Sequence, residues 1–367
     1  MVVEPSRQTA EAHLEGAATA SAVAAPSAGA AQLGQLPAAP ARMAVFDVAR
    51  FIAAAGIVWL HTVESPTLGP TAEIGRFGVP FFAMGAVFFL MEGLRRQPQR
   101  RFGKYAVGRF VRIYVPFLAW TAAYILMRDL KHRLLSGQAP VKVEVALLWT
   151  GSAHHLWFLP FILAICLILW PVAKLIALRP STEWVVGLIA AIGGLAVALG
   201  PQPAEVLWSP KLEPVRYLVE QSWLTMPAVL WGLAVVAIYR RVPGQAVRST
   251  PIAVLGLALA AACSLWLCLR GRSMGIESLA GVGLLFFALA PWSGRWANRG
   301  GQLGKLALGI YLAHIGFVEA FQAIAIKAGM RSAWLLDLSI FALALAISAL
   351  LTALLGKSRC TRWLVGL

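Results

Sequence analysis

Arg50 and His61 bracket the stretch RFIAAAGIVWLH, whose ten intervening residues carry no charge. Imidazole, with an unperturbed pKa of about 6.5, suits taking a proton from a hydroxyl near neutral pH. A guanidinium suits holding a phosphate. Neither belongs in hydrocarbon, so ionisable groups within apolar runs are functional candidates by default. Eleven steps of about 100° end only about 20° past three full turns and span about 16 Å. Arg50 and His61 therefore project from one face at different depths. Asp47, three residues before Arg50, is placed to pair with it, and Glu64, three residues after His61, to orient the imidazole. The competing reading makes both interfacial end residues, with Arg50 snorkelling.

Three further stretches combine polar chemistry with apolar surroundings. In GRFVRIYVPF, Arg109 and Arg112 lie one helical turn apart, a spacing that suits an anion clamp. Basic residues at an inner membrane boundary are also common. Pro116 follows closely and would bend the helix. In AHHLWFLPF, His154 and His155 precede Trp157. Adjacent histidines diverge on a helix and no carboxylate cluster accompanies them, so no metal site is expected. The plainer reading is an interfacial belt of aromatic and imidazole rings. In GIYLAHIGFVEAFQ, Tyr311 and His314 are three apart. Glu319 lies about 140° around the helix from His314, which argues against a His–Glu dyad.

These residues need membrane-spanning helices to position them. Hydrophobic residues make up 59% and charged residues 13%, well under the roughly 25% charged of soluble domains. Runs of about 20 apolar residues, enough to cross hydrocarbon, occur near 44–63, 77–94, 106–127, 156–178, 183–200, 223–240, 252–270, 275–292, 306–327 and 334–355. The fold class expected is an all-α polytopic membrane protein of about ten transmembrane helices. Residues 1–42 are rich in Ala, Pro, Ser and Gly and read as a disordered cytoplasmic tail. Residues 43–356 form the transmembrane domain, and 357–367 a short basic tail.

The net charge of +16 could suggest nucleic acid, but its placement does not. With the N-terminus in the cytoplasm, most lysines and arginines fall in the inner loops, including Arg95, Arg96, Arg100, Arg101 and Lys104. Both termini are then cytoplasmic, and the excess charge serves topology and contact with membrane lipid. The four cysteines show no C-x-x-C spacing, so neither disulfides nor zinc are expected. Walker loops, G-x-S-x-G elbows and H-E-x-x-H are absent from the sequence.

The four stretches, in this order in a ten-helix chain, resemble the acyltransferase-3 family of integral membrane acyltransferases. FDVARFIAAAGIVWLHT looks like its first helix, with Arg50 and His61 in the basic and histidine places. RFGVPFFAMGAVFFL is similar to its Phe-Phe segment, but Met84 stands where the family usually has serine before Gly85. GRFVRIYVPF matches its R-x-x-R motif, and HLWFLPF and GIYLAHIGF its Leu-Trp-Phe-Leu and Tyr-Leu-x-His signatures. The resemblance covers about residues 44–355.

The resemblance implies transfer of an acyl group, most often acetyl from acetyl-CoA as co-substrate, to a sugar hydroxyl. The acceptor would be a cell-surface or lipid-linked glycan such as an exopolysaccharide or O-antigen unit, handled at the bacterial cytoplasmic (inner) membrane alongside polysaccharide assembly proteins. In this reading the catalytic candidates are His61, as general base or transient acyl carrier, and Arg50, which belongs with the donor-binding layer. Arg109 and Arg112 would bind the phosphates of the donor. His155, Trp157, Tyr311, His314, Glu319 and Glu64 would support the substrate, with Tyr311 or an arginine facing the developing oxyanion. The rival readings are a transporter or glycan flippase, and an accessory scaffold in which these residues are dispensable.

Overall fold

The computed structural model describes residues 43–131, 133, 143–201, 215–241, 250–290, 295–330 and 333–366. The tail expected over 1–42 lies outside the described residues. Among the described residues there is no strand, and nine helices are long and apolar enough to cross a membrane. In chain order the nine are α1 (Ala44–Thr62), α2 (Gly69–Arg96), α3 (Phe102–Lys131), α4 (His154–Leu178), α5 (Pro180–Leu199), α6 (Arg216–Tyr239), α7 (Thr250–Arg270), α9 (Ala307–Lys327) and α10 (Trp334–Lys357), with a shorter apolar helix, α8 (Met274–Ala288), between α7 and α9.

α8 differs from its sequence expectation of 275–292. Its helix has only 15 residues, about 22 Å long at about 1.5 Å per residue, against roughly 30 Å of hydrocarbon. It packs between α7 and α2, where protein rather than lipid sets the length. α2 begins eight residues earlier than the periodicity of 77–94 indicates, because the short helix Gly69–Ala72 and the 3₁₀ turn Glu73–Phe77 run straight into it.

The centre is α2, with 67% of its apolar window buried, whereas α3, α5 and α10 bury only 22% and form the periphery. Exposed Leu199, Leu255, Leu269 and Ile326 lie on the outside of the helices, where lipid replaces water as solvent. Small residues set the close crossings, as expected where helices associate by packing. On α1 the buried face carries Ala49, Ala53, Ala54 and Val58. A Cβ placed on Gly75 would collide with the Gly56 carbonyl, so the turn before α2 lies directly on α1.

Two anchors fix the ends of α1. The connecting helix Arg295–Gly304 packs against its N-terminal part, with Gly304 against the Asp47 backbone. At the other end Asp337, 2% exposed at the start of α10, accepts hydrogen bonds from Glu64 N–H at 3.4 Å, Ser65 N–H at 3.1 Å and the Ser65 hydroxyl. A carboxylate in a dry interior is stable only when so satisfied.

α3 is not one regular helix. An α segment, Phe102–Arg109, passes into a π turn, Phe110–Tyr114, and then into Val115–Lys131. Pro116 has no N–H to offer the Arg112 carbonyl, and the wider π turn absorbs the defect.

Candidate functional site

The C-terminal end of α1, the start of α4 and the middle of α9 converge on a cluster of four histidines. The His61 ring centroid lies 4.8 Å from His154 and 5.5 Å from His314. His155 lies 5.0 Å from His314 and 5.9 Å from His154. His61 Nδ1 and His154 Nε2 are hydrogen-bonded at 3.3 Å.

The turn before α4 delivers two of these rings. Gly151 has φ +75° and ψ 167°, a conformation essentially restricted to glycine. The Ser152 hydroxyl donates to the Thr121 carbonyl at 2.7 Å, and an Arg128 N–H donates to the Ser152 carbonyl. The strap is thus tied to α3, and His154–Trp157 form a 3₁₀ turn before the α-helix starts. His154 is directed at α1, and His155, buried, at α9.

Backbone carbonyls fix two tautomers, because a carbonyl only accepts. His314 Nδ1 lies 2.7 Å from the Tyr311 carbonyl and 3.1 Å from that of Ile310, so it carries the proton. His155 Nε2 likewise donates to the Leu312 carbonyl at 3.4 Å. That leaves His314 Nε2 and His155 Nδ1 as bare, buried nitrogens without a hydrogen-bond partner. Among the described residues no three His, Cys, Asp or Glu side chains are arranged to hold a metal ion.

His61 opens onto a cavity of about 290 Å³ that is also lined by His154, His155, Trp157 and Tyr311. Its opposite wall is polar. Arg76 is held bidentately by Glu73 and stands 3.9 Å from Glu277. Arg272 donates to Glu277 at 3.1 Å and to Gln221 at 3.2 Å. Glu277 is buried, so both arginines lean on one desolvated carboxylate. Tyr217 completes this wall.

A second cavity, of about 120 Å³, is lined by Arg50, Phe82, Ile113, Phe158, Leu159, Ile162, Leu308 and Tyr311. Tyr311 lines both. Its ring is buried and its hydroxyl donates to the His155 carbonyl. Arg50 pairs with Asp47 at 3.3 Å, as the three-residue spacing indicates.

Other expected residues sit elsewhere. Arg109 lies over the Tyr105 ring at 5.4 Å and Arg112 is exposed; neither lines the two cavities. Arg109 ends the α segment and Arg112 falls within the π turn, where the residues per turn are no longer those of a regular α-helix. Glu64 does not orient His61: its side chain is exposed and its N–H is bound to Asp337. The Tyr311 hydroxyl, occupied by the His155 carbonyl, is not free for an oxyanion in this state. Glu319 pairs with Arg128 at 3.9 Å and lines a separate cavity with Lys131 and Lys327, in keeping with its angular distance from His314.

Sequence reasoning did not single out His154 as a site residue, and it passed over Arg76, Arg272, Glu277 and Asp337. His154 meets His61 across 93 residues of chain, which no local spacing reveals. Glu277, a carboxylate inside a short apolar helix, is the one whose sequence context signalled it.

With this geometry in place, comparison with known proteins becomes specific. The family described as Acyltransferase domain matches residues 43–353. The chain belongs to this acyltransferase family. It is therefore a multi-pass membrane acyltransferase rather than a transporter or scaffold, and the histidine-lined cavity is the candidate centre of that chemistry. No curated protein and no solved structure matches the chain.

Proposed function

We propose that this acyltransferase moves an acyl group, acetyl foremost, from acyl-CoA to a hydroxyl of a cell-surface or lipid-linked glycan. The observation that carries this reading is the pairing of two cavities across Tyr311, one lined by His61 and the other by Arg50. The donor's phosphates belong at the Arg50 end, with Arg109 and Arg112 adding positive charge along α3. The donor's thioester arm reaches past Tyr311 towards the histidines. This reading requires the Arg50 end to face the cytoplasm, where acyl-CoA is made.

The acceptor hydroxyl enters the larger cavity. Its volume and its Arg76, Arg272, Glu277 and Gln221 wall suit a polyhydroxylated ring, which needs several donors and acceptors at once. His61 takes the hydroxyl proton as the oxygen attacks the thioester carbonyl. The tetrahedral intermediate collapses by breaking the C–S bond, and the imidazolium returns the proton to sulfur. Coenzyme A and the ester leave.

The test is acyl-CoA consumption by purified protein supplied with a glycan acceptor. Wild type should release free thiol with ester formation, and His61→Ala should lower turnover by about 10²–10⁴-fold, the usual worth of a general base. A folded His61→Ala protein with near wild-type turnover would refute the role of this residue.

A further inference from the structure

We propose that His154 is the positioning residue for His61: its Nε2 accepts the His61 Nδ1–H and so holds the His61 ring in the one neutral tautomer that presents a bare Nε2 to the cavity. This rests on the reading of His61 as the base.

A neutral imidazole carries its proton on either nitrogen, and the partner of one nitrogen decides the state of the other. Of the three imidazoles around His61, His154 alone is hydrogen-bonded to it, at 3.3 Å. His314 spends its Nδ1–H on carbonyls of its own helix, and His155 spends its Nε2–H on Leu312. The nearest acidic residue in sequence, Glu64, has an exposed side chain, and its backbone N–H is bound to Asp337. His154 therefore occupies the place that a carboxylate fills in hydrolase triads.

Its own position is set by the backbone rather than by choice of rotamer alone. The strap before it is pinned through Ser152 to Thr121 and Arg128, and its ring packs at 64° to that of His61. The proton path is closed. The acceptor O–H bond breaks and its proton goes to His61 Nε2, leaving an imidazolium that still donates Nδ1–H to His154. His154 keeps its proton on Nδ1 throughout and gains none. When the C–S bond breaks, His61 Nε2–H protonates the sulfur.

Three variants separate acceptor, donor and neither. His154→Glu can only accept, His154→Lys can only donate, and His154→Leu does neither. In His154→Leu, kcat should fall about 10–100-fold, less than the roughly 10⁴ lost when a triad carboxylate no longer sets the tautomer. KM for acyl-CoA should stay within about two-fold. His154→Glu should recover most of kcat and move the acidic limb of the kcat/KM profile upward by about one pH unit, because an adjacent carboxylate favours the imidazolium. His154→Lys should recover nothing. The other groups acting on the pair, His155, His314 and Arg76 around His61 and Glu319 and Arg128 around His154, are the same in every variant.

A second readout needs no turnover. Nitrogen-15 NMR of histidine-labelled wild type in nanodiscs should show His61 protonated on Nδ1, and the two tautomers mixed in His154→Leu. A wild-type His61 protonated on Nε2 overturns the proposal. So does a His154→Leu protein within about two-fold of wild type, or a His154→Lys protein as active as His154→Glu. If wild type shows the expected tautomer but does not consume acyl-CoA, the functional reading fails and the positioning contact stands.

Discussion

Gly151→Ala puts the strap geometry to a direct test. Gly151 sits at φ +75° and ψ 167°, where any side chain costs about 1–3 kcal/mol. The added methyl would lie 2.6 Å from Leu156 Cβ and 3.1 Å from Phe117 Cε2. Leu156 and Phe117 are both fully buried, and overpacking of that kind typically costs about 1–3 kcal/mol more. The combined loss of about 2–6 kcal/mol should lower the unfolding midpoint in detergent by roughly 3–8 °C. Relief comes only by moving the strap, which carries His154 and His155. Misplacement by about 1 Å can cost about 100-fold in rate, so acyl transfer should fall with stability. Gly93→Ala is the control. Gly93 lies within α2 with nothing near its missing Cβ, and alanine there should stabilise by about 0.5–1 kcal/mol. Tryptophan fluorescence melts and thiol release, measured on both variants, decide the matter. A Gly151→Ala protein that melts and turns over like wild type would refute both the strain argument and the role of the strap.

Asp337→Ala should destabilise by about 3 kcal/mol, since it leaves the buried Ser65 donors without their acceptor. Asp337→Asn, which keeps an acceptor oxygen, should lose less, and comparative melts will show the order. Arg50→Ala should raise KM for acyl-CoA more than Arg109→Ala or Arg112→Ala, because Arg50 alone of the three lines a cavity shared with Tyr311. Titration at low and high salt checks this: equal effects from all three would remove the Arg50 assignment.

The helices were legible because apolar runs of membrane length are a strong signal, and Arg50 faces Asp47 as a regular helix requires. Angular arithmetic also separated His314 from Glu319. At Arg109 and Arg112 a π turn changes the residues per turn that the arithmetic assumes. α8 was drawn too long because apolar residues continue past its helical end. Glu64 looked like the partner of His61 by spacing alone, yet α1 ends at Thr62 and a side chain beyond the last turn no longer shares its face. His154, Arg76, Arg272 and Glu277 come together through tertiary packing of α1, α2, α4, α7 and α8, which local pattern does not encode. Asp337 reads as an ordinary first-turn acid until the Ser65 backbone is seen against it.

The Tyr311 ring is also a piece of architecture. The two cavities share a single lining residue, the aromatic side chain of Tyr311, held by its hydroxyl to the His155 backbone. Tyr311 is thus the wall that the two cavities have in common, so a smaller residue there would join them into one continuous space.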